Sequence, residues 1–107
     1  MKLIIRKASV RWKSGVKDGS RTVTTESGAL KASAFSSDIS LKSKTDTSPS
    51  ELIAAAHAIS FSRALSHELG LKASALGEIV TTATVTLENL VAGWTIINIH
   101  LNVIAHQ

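Results

Sequence analysis

Residues 48–70 of this chain read SPSELIAAAHAISFSRALSHELG, and they hold its clearest secondary-structure signal. Ser48, Pro49 and Glu51 match a capping box with proline at the first helical position, which satisfies backbone N–H groups that the start of a helix leaves free. Gly70 is the residue type that ends helices in a left-handed conformation. The segment therefore predicts one long helix from Pro49 to about Leu69. We expect it to be the buried centre of the domain, because small side chains allow close packing. Those side chains are Ala54, Ala55, Ala56 and Ala58.

The segments before this helix predict three strands joined by turns. Apolar and β-branched residues with interspersed Lys and Arg favour strands with one exposed face, and Asp and Gly between them favour tight turns. In chain order we predict a strand over 2–12, a turn at 17–20, a strand over 21–25, a turn at 27–28, a third strand within 29–41 and a loop over 42–47.

After the helix the apolar pattern changes to a period of two, which is typical of a half-exposed strand. A loop at 89–93 then predicts a hairpin with a returning strand. The order of three strands, one helix and two strands predicts an α+β fold, with an antiparallel sheet and one domain over 1–107. One face of the predicted hairpin carries Ile79, Ala83, Val85, Leu87, Thr95, Ile97, Ile99, Leu101 and Val103, and the other carries Thr82, Thr84, Thr86, Glu88, Asn98, His100 and Asn102.

The composition excludes some functions and makes others less favoured. The 107 residues contain no cysteine, so thiol chemistry and cysteine-ligated metals are excluded. The longest apolar run, 52–59, is interrupted by His57 and is far shorter than the roughly 20 residues that cross a bilayer. The first seven residues lack the apolar stretch of a secretory signal. We therefore expect a cytoplasmic protein that does not associate with membranes.

The charge is concentrated in the first half of the chain. Residues 1–44 carry ten Lys and Arg against three acidic residues. A basic segment can bind the phosphates of nucleic acid. We favour a solvated basic sheet face, since the chain has few aromatic residues for stacking on bases and no nucleic-acid motif. Salt-sensitive retention on DNA or heparin would support nucleic-acid binding, and its absence would exclude it.

Few residues suggest catalysis or cofactor binding. His57 and Ser60 lie three residues apart on one face of the predicted helix, as a base and a nucleophile would, but no orienting carboxylate accompanies them. We favour packing over serine hydrolysis. The spacing of His57, His67, His100 and His106 does not match the usual metal-ligand patterns, so we predict neither a metal nor a cofactor.

The helix segment also carries a family resemblance. Residues 48–65 closely resemble the peroxidatic helix of the OsmC/Ohr family of organic hydroperoxide reductases, approximately Asn-Pro-Glu-Glu-Leu-(x)3-Ala-His-Ala-Ala-Cys-Phe-Ser-x-Ala-Leu. Residues 22–28, TVTTESG, resemble the family's second strand and turn, and 85–94, VTLENLVAGW, resemble its later hairpin. Trp12 matches an aromatic near the end of its first strand. The resemblance spans almost the whole chain and is closer to the OsmC branch than to Ohr.

The resemblance implies an OsmC-like subunit that intertwines with a second copy. The helices would be buried and the sites would lie near the subunit interface. A small-residue helix and two long strands are also more apolar than one subunit of this size hides, so we expect a homodimer. His57 and Phe61 would line the pocket at that interface.

The residues that the family uses for catalysis are replaced in this chain. The attacking cysteine falls on Ser60, whose hydroxyl is a poor nucleophile toward a peroxide. The supporting glutamate falls on Ser50, with Glu51 about 100° away around the helix. The family's arginine has no counterpart in 29–47, which holds only lysines. The resolving cysteine belongs to a helix beyond Gln107, so we expect a chain truncated relative to the family.

Two explanations remain for Ser60. Natural divergence to a protein without thiol peroxidase activity accounts for Ser60, Ser50 and the missing arginine together. A Cys-to-Ser form of an active organic hydroperoxide peroxidase accounts for Ser60 alone. We favour divergence, with the interfacial pocket kept as a binding site for a small apolar ligand.

Overall fold

The computed structural model describes residues 2–13, 20–36, 45–70 and 77–106. The chain divides into two compact units, Met1–Pro49 and Ser50–Gln107, which we describe separately. The fold is α+β, as predicted, with one helix and two antiparallel sheets in the described residues, and the order of elements matches the prediction. The elements are β1 (Ala8–Lys13), β2 (Ser20–Thr25), β3 (Ser33–Ala34), α1 (Pro49–Gly70), β4 (Glu78–Leu90) and β5 (Gly93–His106).

The first unit contains an antiparallel sheet in the order β1-β2-β3. Val10 pairs with Val23 and Trp12 with Arg21, so these four side chains share one face. Val23 is only 8% exposed, and it is the one buried hydrophobic side chain among the described residues. The sheet face that carries these four side chains is therefore the best-packed part of this unit.

The first strand is shorter than predicted. It begins at Ala8 rather than at residue 2, and residues 2–7 form no regular structure. The ladder ends at the pair Ala8 and Thr25, because the chain of β2 turns immediately afterwards and offers no further partner. The backbone N–H of Glu26 donates to the Lys7 carbonyl at 2.9 Å and closes the ladder.

The predicted turn at 27–28 is confirmed. Gly28 has a φ of +83°, a region that glycine enters without steric cost, and its N–H donates to the Thr25 carbonyl at 2.9 Å. The Leu30 N–H donates to Thr25 Oγ1 at 3.0 Å. The other predicted turn, at 17–20, lies outside the described residues except for Ser20, which begins β2.

The third strand is confirmed only as the two residues of β3. Phe35 forms an isolated parallel bridge with Thr47, and the Ser36 N–H donates to the Thr47 carbonyl at 2.8 Å. Phe35 also meets Trp12 edge to face at 6.0 Å between ring centroids, while the Arg21 guanidinium lies 4.5 Å from the Trp12 ring centroid. These contacts fix the segment that leads into the helix onto the sheet of its own unit.

The helix of the second unit begins at Pro49, as the capping-box pattern predicts. It runs through Gly70, and this glycine keeps a negative φ, so the predicted left-handed ending at Gly70 is wrong. Glycine has no β-carbon and adopts the right-handed helical conformation as readily as the left-handed one. No residue of α1 is buried within one chain, so its predicted burial stays a prediction for an assembly.

The hairpin of the second unit pairs β4 with β5 in antiparallel register. Its turn is shorter than the predicted loop at 89–93, because Asn89 pairs with Trp94 and Leu90 with Gly93, which leaves only Val91 and Ala92 between the strands. Gly93 adopts a φ of +110° directly after this turn.

A bulge in β5 corrects the predicted alternation of side chains. Thr86 pairs with Asn98 and Leu87 with Ile96, so Ile97 is an extra residue without a partner. Ile96 therefore lies on the same face of the hairpin as Ile99, whereas the simple period of two predicted Ile97 at that position. Beyond the bulge, toward the carboxyl end of β5, the alternation is confirmed. The half-buried residues there and on β4 are Ile79, Thr81, Ala83, Val85, Leu87, Ile99, Leu101 and Val103.

α1 is the one helix in the part of the chain that the structure describes, and it is not both long and apolar enough to cross a membrane.

A matched pair of glycine substitutions tests this backbone geometry. We expect Gly93→Ala to lower the free energy of unfolding by about 1–3 kcal/mol, because an L residue is strained at that φ. Gly70→Ala serves as the control. A β-carbon at position 70 meets no atom within 4 Å, so we expect Gly70→Ala to raise the free energy of unfolding by up to about 1 kcal/mol. Urea unfolding followed by circular dichroism measures the stability of both variants. Equal changes in the free energy of unfolding would contradict the positive φ assigned to Gly93.

Candidate functional site

Ser60 lies near the middle of α1 with its residue exposed. It borders an open depression of about 450 Å³. The lining residues stand three, four, seven and eight positions after Ser60, which is the spacing of one helix face. They are Arg63, Ala64, His67 and Glu68.

The side chains of this depression are polar donors for the most part. Ser60 offers a hydroxyl, Arg63 a planar guanidinium and His67 an imidazole, while Glu68 supplies the one carboxylate. The structure gives the Arg63 guanidinium no hydrogen-bond or ion-pair partner among the described residues. Such a set can bind an anionic or polar group, and it contains no thiol.

The other predicted site residues do not line this depression. His57 is exposed one turn before Ser60, and the Phe61 residue is 39% exposed next to it. Ser50 is half-buried in the first turn of α1. Ten residues of helix place Ser50 roughly 15 Å from Ser60 along the axis, so one copy of α1 cannot bring the two side chains together. The predicted roles of these residues remain predictions.

A hydrogen bond fixes this stretch of α1 to the hairpin. The Ser62 hydroxyl donates to Thr81 Oγ1 at 2.6 Å, with both side chains half-buried. Beside it lies a second depression of about 290 Å³, which Arg63 shares with the first. The Ser62 side of α1 therefore lies next to β4, while Ser60 is exposed. The second depression is lined by Ser62, Arg63, Ser66, Gly77, Glu78 and Ile79.

No group of three or more His, Asp or Glu residues that could hold a metal ion occurs within the ranges the structure describes. The sequence analysis considered His67 only as a metal ligand and rejected that role because of its spacing from the other histidines. It did not recognise which residues share one face of α1 with His67. Counting in helical steps from Ser60 would have found Arg63, Ala64 and His67 together.

Comparison with known proteins agrees with this architecture. No family model matches the chain. Peroxiredoxin OsmC of Escherichia coli (strain K12) is 40% identical over 98 residues, which cover 92% of this chain and 68% of that protein. Peroxiredoxin OsmC of Shigella flexneri has the same identity and coverage.

The protein is an α+β protein whose one described helix presents Ser60 beside a polar depression. The similarity to the two relatives extends over nearly the whole of this fold. The chain belongs to the OsmC family, on its OsmC branch, as the motif resemblance predicted.

A double-mutant cycle tests the bond between α1 and β4. We expect Ser62→Ala and Thr81→Val each to lower the free energy of unfolding by about 1–2 kcal/mol, because each leaves a half-buried partner unpaired. The double variant should lose less than the sum of the two. Ser66→Ala, an exposed serine one turn later, is the control and should change stability by less than about 0.5 kcal/mol. Strict additivity of Ser62→Ala and Thr81→Val would show that the bond contributes nothing.

Proposed function

We propose that this chain is a cytoplasmic, homodimeric OsmC-like protein without thiol peroxidase activity, which uses the family's interfacial pocket to bind a small apolar ligand. The observation that carries the proposal is the serine at position 60 in a chain with no cysteine at all. A thiol peroxidase needs a thiolate that attacks the peroxide oxygen, and no other residue of this chain supplies one.

The surroundings of Ser60 support divergence rather than a single replacement. The position of the family's glutamate holds Ser50, and the segment before the helix offers Lys31, Lys42 and Lys44 but no arginine. A lysine ammonium carries the charge of an arginine but not its planar pair of donors. An attacking group at position 60 would therefore lack both of the side chains that support it in the family.

The exposed surface of α1 supports the homodimer. Ile59 is 68% exposed in a single chain, and no residue of the helix is buried. A helix this rich in Ala and Leu is stable in water when its apolar surface is covered. A second copy would cover it, and it would also allow Ser50 of one chain to approach Ser60 of the other, which the length of α1 forbids within one chain.

The alternative function is an organic hydroperoxide peroxidase represented here by a Cys-to-Ser form. Both relatives are named peroxiredoxins, which favours this alternative, since their similarity covers 92% of the chain. If the alternative is correct, Ser60 is the one important replacement among the family's catalytic residues. If the chain has diverged, Ser60 is one of several such replacements.

A Ser60→Cys variant separates these two functions. We expect the unmodified protein to reduce cumene hydroperoxide or t-butyl hydroperoxide, with a dithiol as reductant, no faster than buffer. We also expect Ser60→Cys to stay near that level, because the new thiol lacks the glutamate and the arginine. Ser66→Cys is the control for nonspecific reactivity of an exposed thiol on the same helix. A rise of about 100-fold or more in Ser60→Cys alone would support the alternative.

The oligomeric state can be measured directly. We expect light scattering coupled to size exclusion to give twice the 11.3 kDa mass of one chain. Ile59→Glu should shift the protein toward the monomer, because it places a charge on the surface that a second copy would cover. Val91→Glu, at the fully exposed tip of the hairpin, is the matched control and should leave the mass unchanged. A monomer of unmodified protein at high concentration would contradict the proposal.

A further inference from the structure

We infer that the outer edge of β5 pairs, in antiparallel register, with the same edge of β5 in a second copy of this chain. The two strands would be joined by backbone hydrogen bonds, so this contact differs from the covering of α1 in the proposed homodimer. It goes beyond the proposed function, because it involves neither the ligand pocket nor Ser60.

The hairpin leaves one side of β5 open. Among the described residues β5 pairs with β4 alone, so every second residue along its outer side has a backbone N–H and C=O that no described strand uses. The bulge at Ile97 interrupts this edge. Residues 98–106 follow the bulge and form an unbroken ladder with 78–86. The stretch that is available to a second copy is therefore 98–106.

This stretch lacks the features that usually keep an edge strand from pairing. Its sequence, NIHLNVIAH, contains no Lys, Arg, Asp, Glu or Pro. Lysine and proline on an edge strand are common means of preventing contact between the edges of two sheets. An uncharged stretch with β-branched Ile and Val and no Pro or Gly is instead typical of strands that pair with their own copies.

The pattern of this stretch is complementary to itself when two copies overlap completely. Asn102 then lies opposite Asn102 of the second copy, on the exposed face of the hairpin. On the other face Leu101 lies opposite Val103 of the second copy. Ile99 lies opposite Ala105 of the second copy on that same face. Apolar side chains therefore meet apolar side chains, and no pair opposes two like charges.

The charges on the other long strands disfavour the same kind of pairing. Two copies of β4 that overlap about Ala83 would place Glu78 opposite Glu88 of the second copy. β1 carries Arg11 and Lys13 on one face, so a second β1 would bring more cations to that face. Of the described strands of more than two residues, β5 is the one best suited to pair with itself.

The contact through β5 is small. A single strand edge buries less than the roughly 1,200 Å² of stable protein interfaces. We therefore expect a weak association between homodimers, which is absent at low protein concentration and increases as the concentration rises.

Cysteine cross-linking tests this pairing directly, because the chain has no cysteine of its own. Asn102→Cys places a thiol opposite its own copy, at the separation that a disulfide needs. Thr82→Cys is the matched control, because Thr82 pairs with Asn102 on the same exposed face but lies on β4. Under mild oxidation we expect Asn102→Cys to form cross-linked pairs of chains at least about tenfold faster than Thr82→Cys. Equal rates would overturn the inference.

Sedimentation velocity over a series of protein concentrations gives a second measurement. We expect the mass of the unmodified protein to rise with concentration above that of the homodimer. Asn102→Lys should abolish this rise, because it opposes two ammonium groups, whereas Thr82→Lys should leave it intact. Circular dichroism verifies that both variants are folded. A mass that does not change with concentration, or an equal loss of association in Thr82→Lys, would overturn the inference.

Ile59→Glu separates this contact from the proposed homodimer. The variant should begin at the mass of one chain and still associate as the concentration rises, because β5 is unchanged. Loss of that association in Ile59→Glu would overturn the assignment of a separate contact to β5. An unmodified protein that begins at the mass of one chain and doubles with concentration, with Asn102→Lys preventing the change, would support the pairing and contradict the proposed homodimer.

Discussion

The helix α1 is the constraint on which the rest of this protein depends. It extends for 22 residues, and not one of them is buried by its own chain. A side-chain hydrogen bond from Ser62 to Thr81 places the Ser62 side of the helix next to β4. The remaining surface carries both the apolar residues that need a covering partner and the polar residues around Ser60. Dimer formation and ligand binding would therefore use adjacent parts of one helix.

Much of this architecture was predictable because its signals are local. The capping box at Ser48 to Glu51 predicted the start of α1 correctly. Gly28 predicted a turn, and the turn found there has the positive φ that glycine adopts without steric cost. The family and its branch were also readable from the helix motif, and the relatives confirm them. Local chemistry of this kind acts through neighbours in sequence and leaves a pattern there.

The differences arise where pairing between distant residues decides the structure. The start of β1 depends on how far β2 extends, and the position of the hairpin turn depends on the pairs Asn89 with Trp94 and Leu90 with Gly93. The end of α1 was predicted to within one residue, but the left-handed conformation predicted for Gly70 was wrong, because glycine tolerates both helical senses. At the site, sequence reasoning identified Ser60 from the motif. It overlooked Arg63 and His67, whose grouping appears only when residues are counted around a helix.

The bulge at Ile97 bears on how the hairpin can change in length. With a two-residue turn at Val91 and Ala92, an uninterrupted ladder would turn Asn98, His100 and Asn102 toward the half-buried face. The unpaired isoleucine absorbs one residue and restores the phase of the strand. Deletion of Ile97 would remove the bulge and straighten β5, and every other side chain would stay on the same face of the hairpin. The hairpin can therefore change in length by one residue at this position without exchanging its apolar and polar faces.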